Sequence, residues 1–307
     1  MGYIHKIGKY LRQPQRIGLW LAQHRLLPLS DVQFMKLFYQ VKTGHKLNLA
    51  HPQTFNEKVQ WLKLYDRNPL YPQYVDKYQA KQLIVARFGA KYVSPLLGVW
   101  ERVEDIDLGQ LPAQFVLKTT HDSGGVVVCH AKEDLNWAQT QSFLRKRLKT
   151  NYYYASREWV YKDLHPRIIA EQYLDDGSGN GVMDYKVFLF NGLPYCIQVD
   201  YDRFHNHRRN FYSVDWEYLP FTTAYPTDPN HVVVRPTCLK AMLANAQEIG
   251  AMLGQPALLR VDYYIIQDRF YFGEVTFYHG AGQERFDPPE WDAKLGAKLV
   301  LKRGEMK

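Results

Sequence analysis

Two short stretches near the C-terminal end carry charges that apolar strands do not ordinarily hold. In Leu-Leu-Arg-Val-Asp-Tyr-Tyr-Ile-Ile, residues 258–266, Arg260, Asp262 and Tyr264 recur at every second position. In residues 270–277, Phe272, Glu274 and Thr276 repeat the spacing. Side chains alternate across a strand, so each triplet shares a face, and a tight turn at Gln267-Asp268-Arg269 predicts one hairpin. A guanidinium and two carboxylates among aliphatic and aromatic neighbours are costly unless paired or bound to metal. Two chemistries meet that requirement. One is a salt bridge across the hairpin; the other is a divalent-ion site, whose hard cation takes carboxylate oxygens.

Other residues of the same character lie upstream. Lys118 ends the apolar run Phe-Val-Leu-Lys and enters Thr-Thr-His-Asp-Ser-Gly-Gly, after which residues 126–129 return as a strand. The tip of such a hairpin, at Ser123, Gly124 and Gly125, can turn backbone N–H groups towards an anion, although a Gly-Gly tip is also an ordinary turn. It lacks the helix and lysine that follow the glycines of a P-loop. Lys186 sits between Tyr185 and Val187 in the strand 184–190, where a lysine can equally snorkel to solvent. The strand 167–174 ends in the polar Glu171-Gln-Tyr-Leu174. Together these form a coherent nucleotide site: two lysines for phosphates, a glycine hairpin above them, and Asp262 and Glu274 for Mg²⁺. Arg260 would neutralise charge that develops in phosphoryl transfer.

The elements that must position these groups follow from local signals. Thr54-Phe-Asn-Glu57 has capping-box spacing ahead of Val59, Trp61, Leu62, Leu64 and Tyr65, so a helix begins there. Asp76 opens a second helix, closed by Gly89, with Lys77 in its first turn and Lys81 one turn on. Residues 136–149 and 238–253 read as further helices, and Asn191-Gly192 joins strands 184–190 and 194–199 as a hairpin. Residues 1–50 are helical and basic, with Lys6, Lys9, Arg12, Arg16 and Arg25 interleaved with apolar residues. This suits packing on the parent domain or contact with anionic lipid. The segment 202–212 reads as a loop that collects Arg203, His205, His207, Arg208 and Arg209. Its His-x-His pair lacks a third ligand, so anion binding is favoured over metal.

The totals bound the reading. A chain of 307 residues with a 46% hydrophobic fraction can bury a sizeable core. The excess of 39 basic over 31 acidic residues points to an anionic partner without choosing one. Three cysteines without a CxxC pair speak against a disulfide framework and favour a reducing cytoplasm. Neither a membrane span nor a secretory signal is read from the sequence.

In the order Thr54-Phe-Asn-Glu-Lys58, Asp76-Lys77, Val116-Leu-Lys118 with Ser123-Gly-Gly125, Ile168-Ile-Ala-Glu171, Asp184-Tyr-Lys186, Arg260-Val-Asp262 and Tyr271-Phe-Gly-Glu-Val-Thr-Phe277, the sequence resembles the ATP-grasp superfamily and its TupA-like branch. The resemblance covers residues 54–295. It implies an α+β, ATP-grasp fold in which two α+β subdomains sandwich the nucleotide, preceded by a helical basic N-terminal region. The expected division is 1–53, a 54–110 pre-ATP-grasp region, a 111–175 lid subdomain and a 176–307 subdomain with the metal site.

The resemblance also implies roles. Lys118 and Lys186 would contact the phosphates of ATP, and Ser123, Gly124 and Gly125 would form a mobile lid. Residues 171–174 would be the adenine hinge, with Glu171 at its start, backbone groups of Gln172 and Leu174 on the base, and Asp176 near the ribose. Lys77 or Lys81 would line the pocket. Asp262 and Glu274 would hold Mg²⁺, and Arg260 would face the γ-phosphate. Thr276 stands where many relatives carry Asn, so a carbonyl ligand is replaced by a hydroxyl.

The implied activity is an ATP- and Mg-dependent carboxylate–amine ligase acting through an acyl phosphate. The polysaccharide association of the branch suggests a uronic acid joined to an amino acid in a capsule, lipopolysaccharide or teichuronic-type polymer. Arg157, Arg203, His205 and Arg208 are the candidates for the substrate carboxylate, and residues 152–154 for stacking on a sugar ring. The implied location is cytoplasmic, with the basic N-terminus able to touch the inner face of the membrane. The alternatives are a glycosyltransferase or other sugar-modifying transferase of surface polysaccharide synthesis, and a non-catalytic nucleotide-binding module of a polymer assembly complex; no nucleic-acid signature is present. If Asp262 and Glu274 are ligands, Asp262→Asn or Glu274→Gln removes Mg-dependent turnover with little loss of fold; a structural bridge would lose stability instead.

Overall fold

The structure, a computed structural model, describes residues 14–179, 181–203 and 206–302. Its smaller sheet is built from β1 (Leu96–Trp100), β2 (Phe115–Thr119), β3 (Val126–Cys129) and β4 (Ile168–Gln172), in the order β1-β4-β2-β3. All of its pairings are antiparallel. β1 lies before residue 111 in sequence but is the edge strand of this sheet. One face buries Phe115, Leu117, Cys129, Ile168 and Ala170 against Leu144 of the helix Trp137–Leu148. Lys118 and Glu171 stand on the other face, by alternation.

The larger sheet combines β5 (Asp184–Phe190), β6 (Leu193–Tyr201), β7 (Arg208–Ser213), β8 (Tyr218–Leu219), β10 (Leu258–Ile266) and β11 (Arg269–Thr276), in the order β11-β10-β5-β6-β7-β8. β9 (Thr222–Thr223) pairs separately with β12 (Phe286–Asp287). Two-residue turns close both long hairpins. Asn191 and Gly192 have φ of 54° and 82°, and Gln267 and Asp268 have 48° and 58°, the positive values that match the twist of paired strands. One face carries Val187, Leu189, Ile197, Val199, Leu259, Val261 and Tyr263, which join Met242, Ala246 and Ile249 of the helix Leu239–Met252 in one core. The opposite face of the central strands carries the charged residues.

β7 corrects the reading of 202–212 as wholly loop. Its arginines hid the strand period, and Arg209 is buried there because Asp200 on β6 takes its guanidinium at 2.7 Å. His205 lies outside the described residues, as do Lys6, Lys9 and Arg12. The described N-terminal helices, Pro14–Gln23 and Asp31–Thr43, bury Leu19, Ala22, Phe34, Met35, Phe38 and Tyr39 in a core of their own. Among the described residues no helix is long and apolar enough to cross a membrane.

The helix Phe55–Tyr65 forms with the expected Thr54–Glu57 capping box. Its polar residues are buried as well as its apolar ones. The Asn56 amide donates to the backbone oxygen of Glu284 at 2.8 Å, and Gln60 donates to the oxygens of Ala281 and Gly282, both at 2.8 Å. Lys58 caps the helix Glu290–Lys298 through the oxygens of Gly296 and Leu299, at 2.8 and 2.7 Å, where a cation suits the C-terminal dipole. This helix therefore holds the 279–285 loop in place.

Candidate active site

The register of β10 and β11 sets Arg260 opposite Thr276 and Asp262 opposite Glu274. Beyond Asp262 the register shifts by one residue, and Tyr263 faces Phe272. The extra residue of this bulge is Gly273, where a Cβ would lie 3.1 Å from the Asp262 backbone oxygen. The bulge corrects the simple alternation: Phe272 joins the apolar face with Tyr263, and Tyr271 takes the place beside Tyr264.

Arg260 is the hub of the hairpin. Its Nε and Nη2 donate to the two oxygens of Asp262 at 2.6 and 2.8 Å, Nη2 reaches Glu274 at 3.3 Å, and Nη1 donates to His279 Nδ1 at 2.8 Å. His279 can accept that bond only as the neutral ring. Burial and the neighbouring Arg260 guanidinium push its pKa well below the usual histidine value. Lys186, paired with Asp262 in register, sits 2.9 Å from that carboxylate, 3.7 Å from Asp184 and 3.8 Å from Asp200. Burial alone would depress the Lys186 ammonium, but Asp262 and Asp184 outweigh it and raise its pKa. Burial alone would raise Asp262, but Arg260 and Lys186 hold it down as a carboxylate.

On the smaller sheet, Glu171 is a buried clasp. Its two oxygens meet Lys81 at 2.8 Å and Lys118 at 2.7 Å, and Lys81 also donates to the Ser94 backbone oxygen at 2.6 Å. Against its burial, the two ammonium groups pull the Glu171 pKa down to about 2. Lys118 is raised: burial opposes the shift, and Glu171 overcomes it with help from Tyr264 and Glu274 across the cleft. The two sheets thus bring Lys118 into electrostatic range of the Arg260 hairpin.

The glycine hairpin tip is pinned at several points. Arg147 donates to Asp122 at 2.6 Å and to the Ser123 backbone oxygen at 2.5 Å, and the Lys77 ammonium donates to the Asp122 backbone oxygen. Gly125 is required by space, since a Cβ there would lie 1.6 Å from Thr119 Oγ1.

Between these parts opens a cavity of about 480 Å³. Of the residues singled out in the sequence it gathers Ser123, Arg260, Glu274 and Thr276, with Tyr152 of the aromatic run. Its remaining wall comes from residues the sequence reading passed over, chiefly Glu158, Tyr161, Tyr278 and Arg285. Arg285 is exposed and makes no ion pair among the described residues. It stands in an irregular stretch, where no period reveals it.

The expected substrate arginines lie elsewhere. Arg157 is buried over the rings of Phe34, Tyr153 and Tyr154, 3.4 Å from Asp31, and tethers the N-terminal helices. Arg203 pairs with Asp184, and Arg208 is half-buried at the start of β7 opposite Tyr201. Tyr153 donates to Asp31, and the Tyr154 ring lies beneath Arg25, so Tyr152 alone of that run faces the cavity. The Gln172 N–H is engaged by the Pro95 oxygen at 2.9 Å; Leu174 follows half-buried, and Asp176 accepts from Ser178 N at 2.9 Å in an exposed turn.

Asp262, through the lone pair that Arg260 and Lys186 leave on it, and Glu274 could hold a divalent ion shared with phosphate. Asp262 and Glu274 supply hard oxygens side by side, and Mg²⁺ usually takes only one or two protein carboxylates alongside substrate oxygens. Glu274 is the more available of the two, with a side chain 41% exposed against 6% for Asp262. Thr276 adds a hydroxyl on the same face.

Two antiparallel sheets that close on lysines, paired carboxylates and a glycine hairpin define an ATP-grasp protein. The chain belongs to the TupA-like ATPgrasp family, whose profile matches residues 57–300. Solved structures similar to it include D-alanine–D-alanine ligase from Bacillus anthracis complexed with ATP, at 14% identity and TM-score 0.39, covering 72% of this chain and 56% of that one. L-amino acid ligase from Bacillus licheniformis is similar at 12% identity and TM-score 0.46, covering 82% of this chain and 57% of that one. The chain therefore spans little more than half the length of either ligase. None of the curated proteins matches it in sequence.

Proposed function

We propose that the protein is an ATP-dependent carboxylate–amine ligase that joins an amino acid to a uronic acid destined for a bacterial surface polysaccharide, through an acyl phosphate. The observation that carries this reading is the shared cavity: Arg260, Glu274 and Thr276 open on the same space as the rings of Tyr152 and Tyr161 and as Arg285, which has no ion pair among the described residues. Phosphate chemistry and carboxylate recognition are thereby neighbours.

Lys118 and Lys186 each carry three N–H donors, so each can keep its carboxylate partner and still donate to a phosphate oxygen of ATP. The N–H groups of the pinned 123–125 tip would donate to a terminal phosphate. Asp262, Glu274 and Thr276 would hold Mg²⁺, which when bound neutralises phosphate charge. Arg260, fixed by Asp262 and His279, is oriented without rearrangement towards the oxygens that gain charge as the phosphoryl group moves. Arg285 takes the acceptor carboxylate in place of Arg157, and the tyrosines offer faces to a sugar ring. Its three cysteines are free thiols, which suits action in a reducing compartment.

The test is release of phosphate from Mg-ATP by the whole protein, with glucuronate or galacturonate and individual amino acids. Release that needs both acceptors, with an increased KM for the uronate in Arg285→Ala, supports the reading. Thermal stabilisation by UDP-sugars but not by Mg-ATP would overturn it.

A further inference from the structure

The cavity wall carries a carboxylate on the 157–161 segment in addition to Glu274. Glu158 is only 5% exposed, and its Oε1 accepts from Ser156 Oγ at 2.7 Å. Its second oxygen has no hydrogen-bond partner among the described residues, and the side chain lines the cavity beside Tyr152 and Tyr161. Behind it lies Lys63, fully buried, whose ammonium donates to the backbone oxygens of Ser156 at 2.9 Å and Ala281 at 3.1 Å and rests 5.0 Å from the centre of the Phe38 ring. Lys63 thus joins the segment bearing Glu158 to the 279–285 loop at Ala281. It makes no ion pair with Glu158 within 4.0 Å, so Glu158 is not simply a contact counter-ion. Besides Lys63, the titratable and charged groups that face Glu158 are Arg260, Tyr152, Tyr161 and Tyr278. Burial raises the Glu158 pKa against the pull of Lys63, and burial lowers that of Lys63 to about 7.

We propose that Glu158, held by Ser156 and backed by Lys63, is the proton acceptor for the amine substrate. The proposal rests on the ligase reading. An amine arrives as its ammonium form and attacks only after losing a proton. Glu158 takes that proton; the nitrogen lone pair forms the C–N bond at the acyl phosphate carbon. The C–O bond to phosphorus breaks with its electron pair on oxygen, and the departing phosphate carries off the second N–H proton. A carboxylate set in a desolvated cavity wall, with one oxygen free of hydrogen bonds among the described residues, suits general-base work at neutral pH.

The discriminating probe is hydroxylamine, which is already unprotonated at neutral pH and needs no base. Wild type and Glu158→Gln are assayed with Mg-ATP and glucuronate or galacturonate, using either hydroxylamine or the amino acid that supports most phosphate release. Glu158→Gln should keep hydroxamate formation within about threefold of wild type and lose amide formation by about 10²-fold or more. Equal loss with both nucleophiles, or full activity with both, overturns the role of Glu158 and leaves the ligase reading standing. No ATP-dependent phosphate release by the wild type with any pair overturns both. Should Glu158→Gln fail to fold, Glu158→Asp withdraws the carboxylate from the cavity; a selective fall in amide formation supports the proposal, and an unchanged ratio of the two products overturns it.

Discussion

Asn56 and Glu284 exchange two hydrogen bonds across 228 positions of sequence. The Asn56 side-chain N–H donates to the Glu284 backbone oxygen at 2.8 Å, and the Glu284 backbone N–H donates to the Asn56 side-chain oxygen at 2.9 Å. A loop that lines the cavity is thereby held by a helix on the far side of it. Asn56→Ala leaves both backbone groups without their partner, at a cost of about 1–3 kcal/mol for each buried group left unsatisfied. The expected outcome is a clear fall in the denaturant midpoint and weaker uronate binding, read by equilibrium unfolding and by KM, with Mg-ATP affinity much less affected.

Asp262 and Glu274 should respond differently to loss of charge, contrary to the expectation that both substitutions spare the fold. Asp262 is buried between two mostly covered cations, Arg260 and Lys186, and Asp262→Asn leaves them facing each other; removing one partner of a buried pair typically costs about 3–5 kcal/mol. Glu274 has a side chain 41% exposed and meets Arg260 only at 3.3 Å. Glu274→Gln should therefore lose Mg-dependent turnover with an unfolding midpoint close to wild type, whereas Asp262→Asn loses both. Urea titrations beside activity assays separate the two.

The Glu171 clasp gives the protein an acid-sensitive limb. The folded carboxylate titrates at about 2, against an ordinary value of 4.5, so between these values the unfolded chain binds the extra proton. Stability from Glu171 is present in full above pH 4.5 and is lost as the pH falls towards 2, a total of roughly 3 kcal/mol. Glu171→Gln should flatten the stability profile within that window, measured by urea unfolding at a series of pH values.

Gly125 leaves no room for a side chain. Gly125→Ala would drive a methyl group into Thr119 and Asp122 and displace the hairpin tip. The expected result is a loss of Mg-ATP affinity larger than the loss of global stability, visible as reduced ATP-dependent thermal stabilisation.

The hairpins and the polar triplet on β10 were legible because the period of two and the Asn-Gly turn are local signals. Lys118 and Lys186 could be ordered along a site because each stands alone in an apolar strand. What stayed hidden depends on partners far away in sequence. Asn56, Gln60 and Lys63, about one helical turn apart, carry no local signal of burial, because it is the 281–284 backbone that covers them. Arg157 looked free because its partner Asp31 lies on an N-terminal helix, and Glu171 looked like a strand end because Lys81 reaches it from another element. The Gly273 bulge moved Phe272 to the other face, which alternation alone does not foresee.

Lys186 and Asp262 are 76 positions apart, although each belongs to a hairpin closed by a two-residue turn. This separation bears on the order in which the protein folds. Either hairpin can close in about 1–10 µs with its charges still hydrated. Only when β5 docks on β10 must the lysine and the carboxylate surrender water together, after a long loop has been closed. Refolding should therefore be limited by that docking step, and a stopped-flow signal from the core should appear well after the hairpins have formed.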